Sequence, residues 1–323
     1  MTYSIPIIDF SDFSNRSAII AQEVLEACET IGFFYMISHT IPKQQIDHAF
    51  ELSKEFYDLS YEEKSKYKIQ SNFHGYSGLY VQRLDPKNQK QGDHKETYDF
   101  LPFRKGESLN LLPEVFLENK DYLENFARTC HSTAIQVLQA FSIALKIPEE
   151  EGGTEWFSVR HRYDVPLSSE LLRFLKYPKG AEETYNDPVR TGAHTDYGSI
   201  TLLFQKDIPG LEVQASRTDW ISAPIVKDAI LVNVGGVMEY WTNGLFKSTL
   251  HRVVFLPEHQ THDRYSIAYF VQPEKDASLA AVPSSIIPEV RPVFEDAPKN
   301  DDQEMTVDDY LNMRYQQSYH PKN

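Results

Sequence analysis

Apolar and polar positions follow two different periods along this chain, and the change falls near residue 156. Before it, apolar residues recur at helical spacing. Ile20, Val24, Ala27, Cys28 and Ile31 mark the inner face of a first helix, with Ser14 placed to cap it and Gly32 to end it. Pro42 opens a second helix whose buried side is Ile46, Ala49, Phe50 and Phe56. A longer stripe, from Leu123 through Cys130 and Leu138 to Leu145, predicts a helix over 121–145, closed by Pro148 and Gly152-Gly153. Two continuous apolar runs interrupt the helices. Residues 5–10 read as an edge strand with Pro6 at its start, and 33–37 as a buried strand. Between 69 and 106 the pattern fades, apart from Thr97-Tyr98-Asp99-Phe100, and loops over a site are expected.

Beyond residue 156 short β-type runs alternate with turn residues, at 171–177, 192–204, 210–214, 229–234, 248–256 and 264–271. Strands this short and this close predict a β-barrel or jelly roll rather than βαβ units. The acidic, Pro-rich stretch 283–302 reads as surface wrapping, and Thr306 can cap a last helix over 307–316. The expected architecture is a mainly β core with flanking α-helices, α+β overall. Three regions follow: 1–155 helical and mixed, 156–275 the β core, and 276–323 a C-terminal wrapping segment and helix.

Composition narrows the function. Of 323 residues, 41% are hydrophobic and 24% charged, which supports a sizeable core and excludes general disorder. The net charge of −15 repels phosphate backbones, so sequence-independent nucleic-acid binding is not expected. Cys28 and Cys130 both fall on helical apolar stripes and are expected as buried thiols, not as a disulfide framework. Residues 1–6 show no basic and then apolar leader, and no apolar run approaches the roughly 18 residues of a membrane span. A cytoplasmic protein with a small-molecule substrate and no membrane partner is expected. Nothing in the pattern sets the oligomeric state, and a monomer fits.

The candidate chemistry lies in the β region. In Thr191-Gly192-Ala193-His194-Thr195-Asp196-Tyr197-Gly198, His194 and Asp196 are two apart, so on an extended strand they share a face. His251 is the candidate third ligand, placed on a returning strand by the hairpin signal Asn243-Gly244. Two His and one carboxylate form the facial triad of non-haem Fe(II) oxygenases, which leaves three adjacent positions open. His-x-Asp alone is weak, since a structural His–Asp hydrogen bond gives the same spacing. His94-Lys95-Glu96 is a rival match, read as a solvated surface pair. Arg264 and Ser266 share one face of a strictly alternating strand, where an Arg fork beside a hydroxyl suits a carboxylate. The bland alternative puts Arg264 on the solvent side. Arg173, Leu175 and Tyr177 also share a face, so Tyr177 could donate to the same anion or simply be a core Tyr before Pro178.

With these residues assembled, the chain resembles the isopenicillin-N-synthase-like Fe(II)/2-oxoglutarate-dependent dioxygenases. Gly32-Phe33-Phe34 with His39, Lys95-Glu96-Thr97-Tyr98-Asp99, His194-Thr195-Asp196-Tyr197-Gly198, Thr242-Asn243-Gly244, His251-Arg252-Val253 and Arg264-x-Ser266 carry the resemblance. It implies a double-stranded β-helix, with Fe(II) bound by His194, Asp196 and His251 as the catalytic centre. Arg264 and Ser266, assisted by Tyr177, would hold the far carboxylate of 2-oxoglutarate, with O2 as oxidant and ascorbate a candidate reductant. The implied reaction is oxidation, chiefly hydroxylation, of an unactivated C–H bond, with release of succinate and CO2. Two positions depart from the pattern: Leu175 stands where many members have Asn, and Gly236 where many have Asp. The alternatives are a same-fold oxidase that uses no 2-oxoglutarate, a Zn-type cupin isomerase, and a noncatalytic jelly-roll binding module. The substrate is not readable; Phe73, Tyr76 and Tyr98 are candidates to contact it, although each is also a natural packing residue.

Overall fold

The computed structural model describes residues 4–69, 74–104, 108, 110–180, 188–292 and 305–319. The chain opens with β1 (Ile7–Asp9), α1 (Phe13–Thr30), β2 (Phe33–Ile37), α2 (Lys43–Asp58) and a single turn, α3 (Tyr61–Ser65). It continues through β3 (Tyr76–Ser77), β4 (Glu96–Phe100), α4 (Glu114–Glu118) and α5 (Lys120–Ala144). The β-rich part comprises β5 (Leu171–Tyr177), β6 (Val189–His194), β7 (Ile200–Gln205), β8 (Leu211–Gln214), β9 (Trp220–Ser222) and β10 (Ile230–Val234). A short α6 (Gly236–Trp241), β11 (His251–Val254), β12 (Arg264–Val271) and α7 (Val307–Tyr319) complete it.

Two sheets form a jelly roll. The major sheet runs β1-β2-β10-β7-β12-β5-β4-β3 and the minor sheet β6-β11-β8-β9. Period-two alternation sorts the major sheet's side chains between two environments. One face, including Phe34, Phe174, Val232, Ile267 and Tyr269, packs with α1, α2 and α5 in the larger apolar core. The other face, including Phe33, Tyr35, Leu175, Leu231 and Ala268, meets Leu211, Val213 and Val253 of the minor sheet to fill the barrel. The N-terminal part is therefore more than a helical layer. It supplies four strands, β1 to β4, to the major sheet. The stripe expected on the long helix is buried throughout, Phe126, Leu138 and Phe141 completely. Each such side chain contributes about 2 kcal/mol of burial. Both cysteines are buried and unpaired. No helix among the described residues is long and apolar enough to cross a membrane.

Three local expectations are corrected. Ser14 lies inside α1; the N-cap is Asp12, in the left-handed region at φ 50°, and its side chain makes no capping bond to the backbone. The run 192–204 is two strands, β6 and β7, because residues 195–199 turn between the sheets. Asn243-Gly244 is not a hairpin. Both residues take positive φ, 48° and 80°, at the C-terminal end of α6, where Gly244 N–H donates to Glu239 O. Asn-Gly favours two successive left-handed residues, a conformation that ends a helix as readily as it joins two strands.

The last helix is docked onto the turn between β6 and β7. Thr306 caps it, its hydroxyl accepting from Asp309 N–H. Arg314 donates to Tyr310 Oη at 2.7 Å and to Thr195 Oγ1 at 3.0 Å, and its guanidinium lies over the Tyr197 ring. Gly236 makes room for this. A Cβ there would stand 2.2 Å from Tyr310 Oη and 3.3 Å from Arg314 Nη1. The Asp that the resemblance expects at 236 would require Tyr310 and Arg314 to move in this chain. Gly236→Ala is expected to force Tyr310 outward and loosen α7, at a cost of about 1–3 kcal/mol. Hydrogen–deuterium exchange over 307–319 should then accelerate by roughly tenfold or more, and unchanged protection would refute the docking role of this glycine.

Candidate metal and anion site

His194 ends β6 and His251 begins β11, and the antiparallel register sets them directly opposite each other. Their ring centroids are 4.3 Å apart. Asp196 is not on the strand with His194, as period-two spacing suggested. It lies in the following turn, held because its carbonyl accepts from Gly236 N–H at 2.8 Å. The ligand-type atoms of His194, Asp196 and His251 all fall within 4.8 Å of one another.

Hydrogen bonding defines which atoms face inward. His194 Nδ1 lies 2.9 Å from Gly192 O, and His251 Nδ1 lies 3.1 Å from Thr249 O. A carbonyl can only accept, so each Nδ1 carries the proton and each Nε2 presents a lone pair. Asp196 Oδ2 accepts from Thr201 Oγ1 at 2.5 Å and from Asn233 Nδ2 at 2.8 Å. Asp196 Oδ1 faces the two Nε2 atoms at 3.9 and 3.7 Å, beyond hydrogen-bond range. Three acceptors thus converge with no donor among them, which is the arrangement a small cation requires and a structural His–Asp hydrogen bond does not produce.

The electrostatics agree. Burial pushes His194 well below its usual range, which keeps the imidazole neutral. Burial opposes ionisation of Asp196. The two imidazoles and the bonds from Thr201 and Asn233 outweigh it and hold its carboxyl below the usual range.

Arg264 and Ser266 point into the barrel from β12, each 1% exposed, so the solvent-side alternative for Arg264 is excluded. The guanidinium donates to Ile208 O at 3.1 Å, Gln205 Oε1 at 3.3 Å and Ser266 Oγ at 3.4 Å, all neutral acceptors. Among the described residues no carboxylate pairs with it. Tyr177 sits directly across from Arg264 on β5, with the guanidinium 5.0 Å from its ring centroid. A buried cation with only long, neutral contacts is a site prepared for an anion.

A cavity of about 80 Å³ borders His194, Asp196 and Tyr177. Its wall includes His194, Asp196, Tyr177, Leu175, Lys95 and Arg173. Tyr76 and Tyr98 are elsewhere, packed with Phe56 and Phe116 on the far face of the sheet, and are not in the wall of this cavity. Phe73 lies outside the described residues. His94-Lys95-Glu96 is not a solvated pair: Glu96 is buried with Lys64 and Tyr76 on one face of β4, while Lys95 points into the cavity on the other. Sequence reasoning missed Thr201 and Asn233. Asn233 had a usable signal, a lone polar residue inside the apolar strand Ile-Leu-Val-Asn-Val.

Comparison with known proteins places the chain. Residues 168–273 match the 2OG-Fe(II) oxygenase superfamily, and residues 5–116 match the family described as non-haem dioxygenase in morphine synthesis N-terminal. A UPF0676 protein of Schizosaccharomyces pombe is 36% identical, over 98% of this chain and 95% of that protein. A proline hydroxylase of Petromyces alliaceus is 32% identical, over 84% and 88%. A full-length Neurospora crassa protein crystallised in complex with alpha-KG superposes with a TM-score of 0.79 at 30% identity, covering 96% of this chain and 95% of that one. The chain belongs to the 2OG-Fe(II) oxygenase superfamily and is a non-haem Fe(II)/2-oxoglutarate-dependent dioxygenase.

Proposed function

We propose that this dioxygenase hydroxylates an unactivated C–H bond of a small molecule, with His194, Asp196 and His251 holding Fe(II). Arg264, Ser266 and Tyr177 hold the far carboxylate of 2-oxoglutarate. The observation that carries this reading is Asp196 Oδ1 facing two imidazole lone pairs with no donor between them. A Zn site would more often recruit Cys or a third His, and among the described residues this cluster contains neither. Relatives that include a hydroxylase, and a structural neighbour solved with alpha-KG, support the same choice.

When bound, Fe(II) and 2-oxoglutarate would activate O2, the oxidant: 2-oxoglutarate would give two electrons and leave as CO2 and succinate carrying one oxygen atom, and the other oxygen atom would reach the substrate carbon. The chain's own residues do the rest. Thr201 and Asn233 fix the Asp196 carboxylate so that a single oxygen is offered inward. The carbonyls of Gly192 and Thr249 fix both imidazole tautomers. Arg264 supplies a buried positive charge on β12 and Ser266 a hydroxyl beside it. Leu171, Leu175 and Phe270 present an apolar wall that keeps bulk water from the reacting carbon.

Two experiments test this. His194→Ala and Asp196→Ala should each abolish succinate formation from 2-oxoglutarate, and Asn233→Ala should weaken Fe(II) affinity by roughly 10–100-fold. Retained turnover in both ligand variants would overturn the assignment. Arg264→Met should raise the 2-oxoglutarate concentration needed for half-maximal turnover by roughly a hundredfold. An unchanged requirement would remove Arg264 as the clamp.

A further inference from the structure

Lys95 stands in the cavity wall just before β4, only 4% exposed. Its Nζ lies 2.9 Å from Asp93 Oδ2, yet out of line for a hydrogen bond, so that buried oxygen is left without a donor. Among the described residues no other group accepts from this ammonium. Arg173, the other cation of the wall, is by contrast bonded to both oxygens of Asp99. A buried ammonium whose N–H bonds meet no acceptor squarely has lost water without full replacement, and is a donor ready for an anion.

Strand register decides what lies beside it. Glu96 pairs with Lys176 and Thr97 with Leu175, so Lys95 falls level with Tyr177, which in turn pairs with Arg264. Glu96 turns to the outer face with Lys64 and Tyr76, which leaves Lys95 on the inner face. Lys95, Tyr177 and Arg264 therefore make one row, with the two cations flanking the tyrosine. A five-carbon diacid is shorter than the two strand spacings of about 4.8 Å each that separate their backbones, and two long side chains close the difference. Of the two cations, Lys95 is the one tied to the strand of His194. Asp93 Oδ1 accepts from Gly192 N–H at 3.1 Å, and Gly192 O accepts from His194 Nδ1. Gly192 permits this approach, since a Cβ there would stand 2.5 Å from Gln89 Oε1 in the same segment.

Resting on the assignment of the far carboxylate of 2-oxoglutarate to Arg264, we propose that the Lys95 ammonium receives the near carboxylate, the one beside the keto group. Each end of the dianion then meets a cation. Asp93 stays behind Lys95 as its counter-charge, so the site gains donors without surplus charge. The same contact bears on Leu175. That side chain shares the cavity wall with Lys95, lies diagonal to it across the β4–β5 pairing, and offers no hydrogen bond where many members of the family have Asn. Lys95 supplies from the neighbouring segment the donor that Leu175 lacks.

The test uses the full chain loaded anaerobically with Fe(II). Calorimetry measures binding of 2-oxoglutarate and, by displacement, of 2-oxopentanoate, which keeps the near carboxylate and keto group but lacks the far carboxylate. Metal-dependent binding of 2-oxoglutarate to the unmodified chain is measured first, and its absence would sink the parent reading, not this one. Given that binding, Lys95→Met combined with Asp93→Asn removes the cation without stranding a buried carboxylate. It should weaken both ligands by a similar factor, roughly tenfold or more. Lys95→Gln should do the same, and decides the matter where the double variant does not fold. Asp93→Asn alone keeps the cation and should leave both affinities within about threefold of the unmodified chain, or tighter. Unchanged 2-oxoglutarate affinity in the Lys95 variants, a loss confined to 2-oxoglutarate, an equal loss from Asp93→Asn alone, or no binding of 2-oxopentanoate to the unmodified chain would each overturn the assignment.

Discussion

Three acceptor atoms aimed at one point, in a place water hardly reaches, form an arrangement that a folded chain does not reach by relaxing. Two imidazole lone pairs and a carboxylate oxygen repel one another, and their convergence stands only because each is anchored from behind. The anchors come from distant parts of the chain. Backbone carbonyls hold the imidazoles, Thr201 and Asn233 hold the carboxylate, and Gly236 N–H holds the turn. Much of the jelly roll can be read as the support that keeps this repulsion in place. The minor sheet puts His194 opposite His251, and the major sheet brings Thr201 on β7 and Asn233 on β10 beneath Asp196. The last helix closes the arrangement from outside through Arg314 and Thr195.

A second constraint follows from burial of charge. The inner face of the major sheet carries Arg264 at one level and Arg173 at another, with Lys95, just before β4, level with Tyr177 and Arg264. Only Arg264 lacks a described carboxylate partner. The charge that a fold would normally avoid is therefore left on Arg264, while those of Arg173 and Lys95 are balanced by Asp99 and Asp93.

Legibility in the sequence followed the physics of each feature. Strands β5 and β12 could be read to the residue because alternation is strict where one face meets a barrel and the other a helical layer. The stripe of α5 was equally plain. Asn243-Gly244 misled because its backbone preference is shared by two kinds of chain reversal, and tertiary packing on α6 chose between them. Asp196 was paired with His194 for an incorrect reason. The two do converge, but through a turn between the sheets, which a period-two rule does not describe. Lys95 and Glu96 looked solvated because the surrounding residues are polar. Yet β4 pairs with β5 inside the major sheet, and strand pairing buried both faces of a segment whose composition suggested a loop.

The same contrast explains why a reaction class is easier to read than a substrate. The groups proposed to hold metal and cosubstrate sit near the ends of strands whose spacing leaves short, fixed motifs: His-x-Asp on the β6 turn, Arg-x-Ser on β12. The cavity wall draws on elements far apart in sequence: Gln82 and Lys95 from the segment before β4, Arg173 from β5, Tyr315 from α7. No local spacing relates these residues, because their proximity is created by cross-strand register and by helix docking. Leu175 and Gly236 belong to this second set. One lines the cavity and the other admits Tyr310, so the two departures from the family pattern fall where the wall is shaped, while the converging acceptors keep their full set.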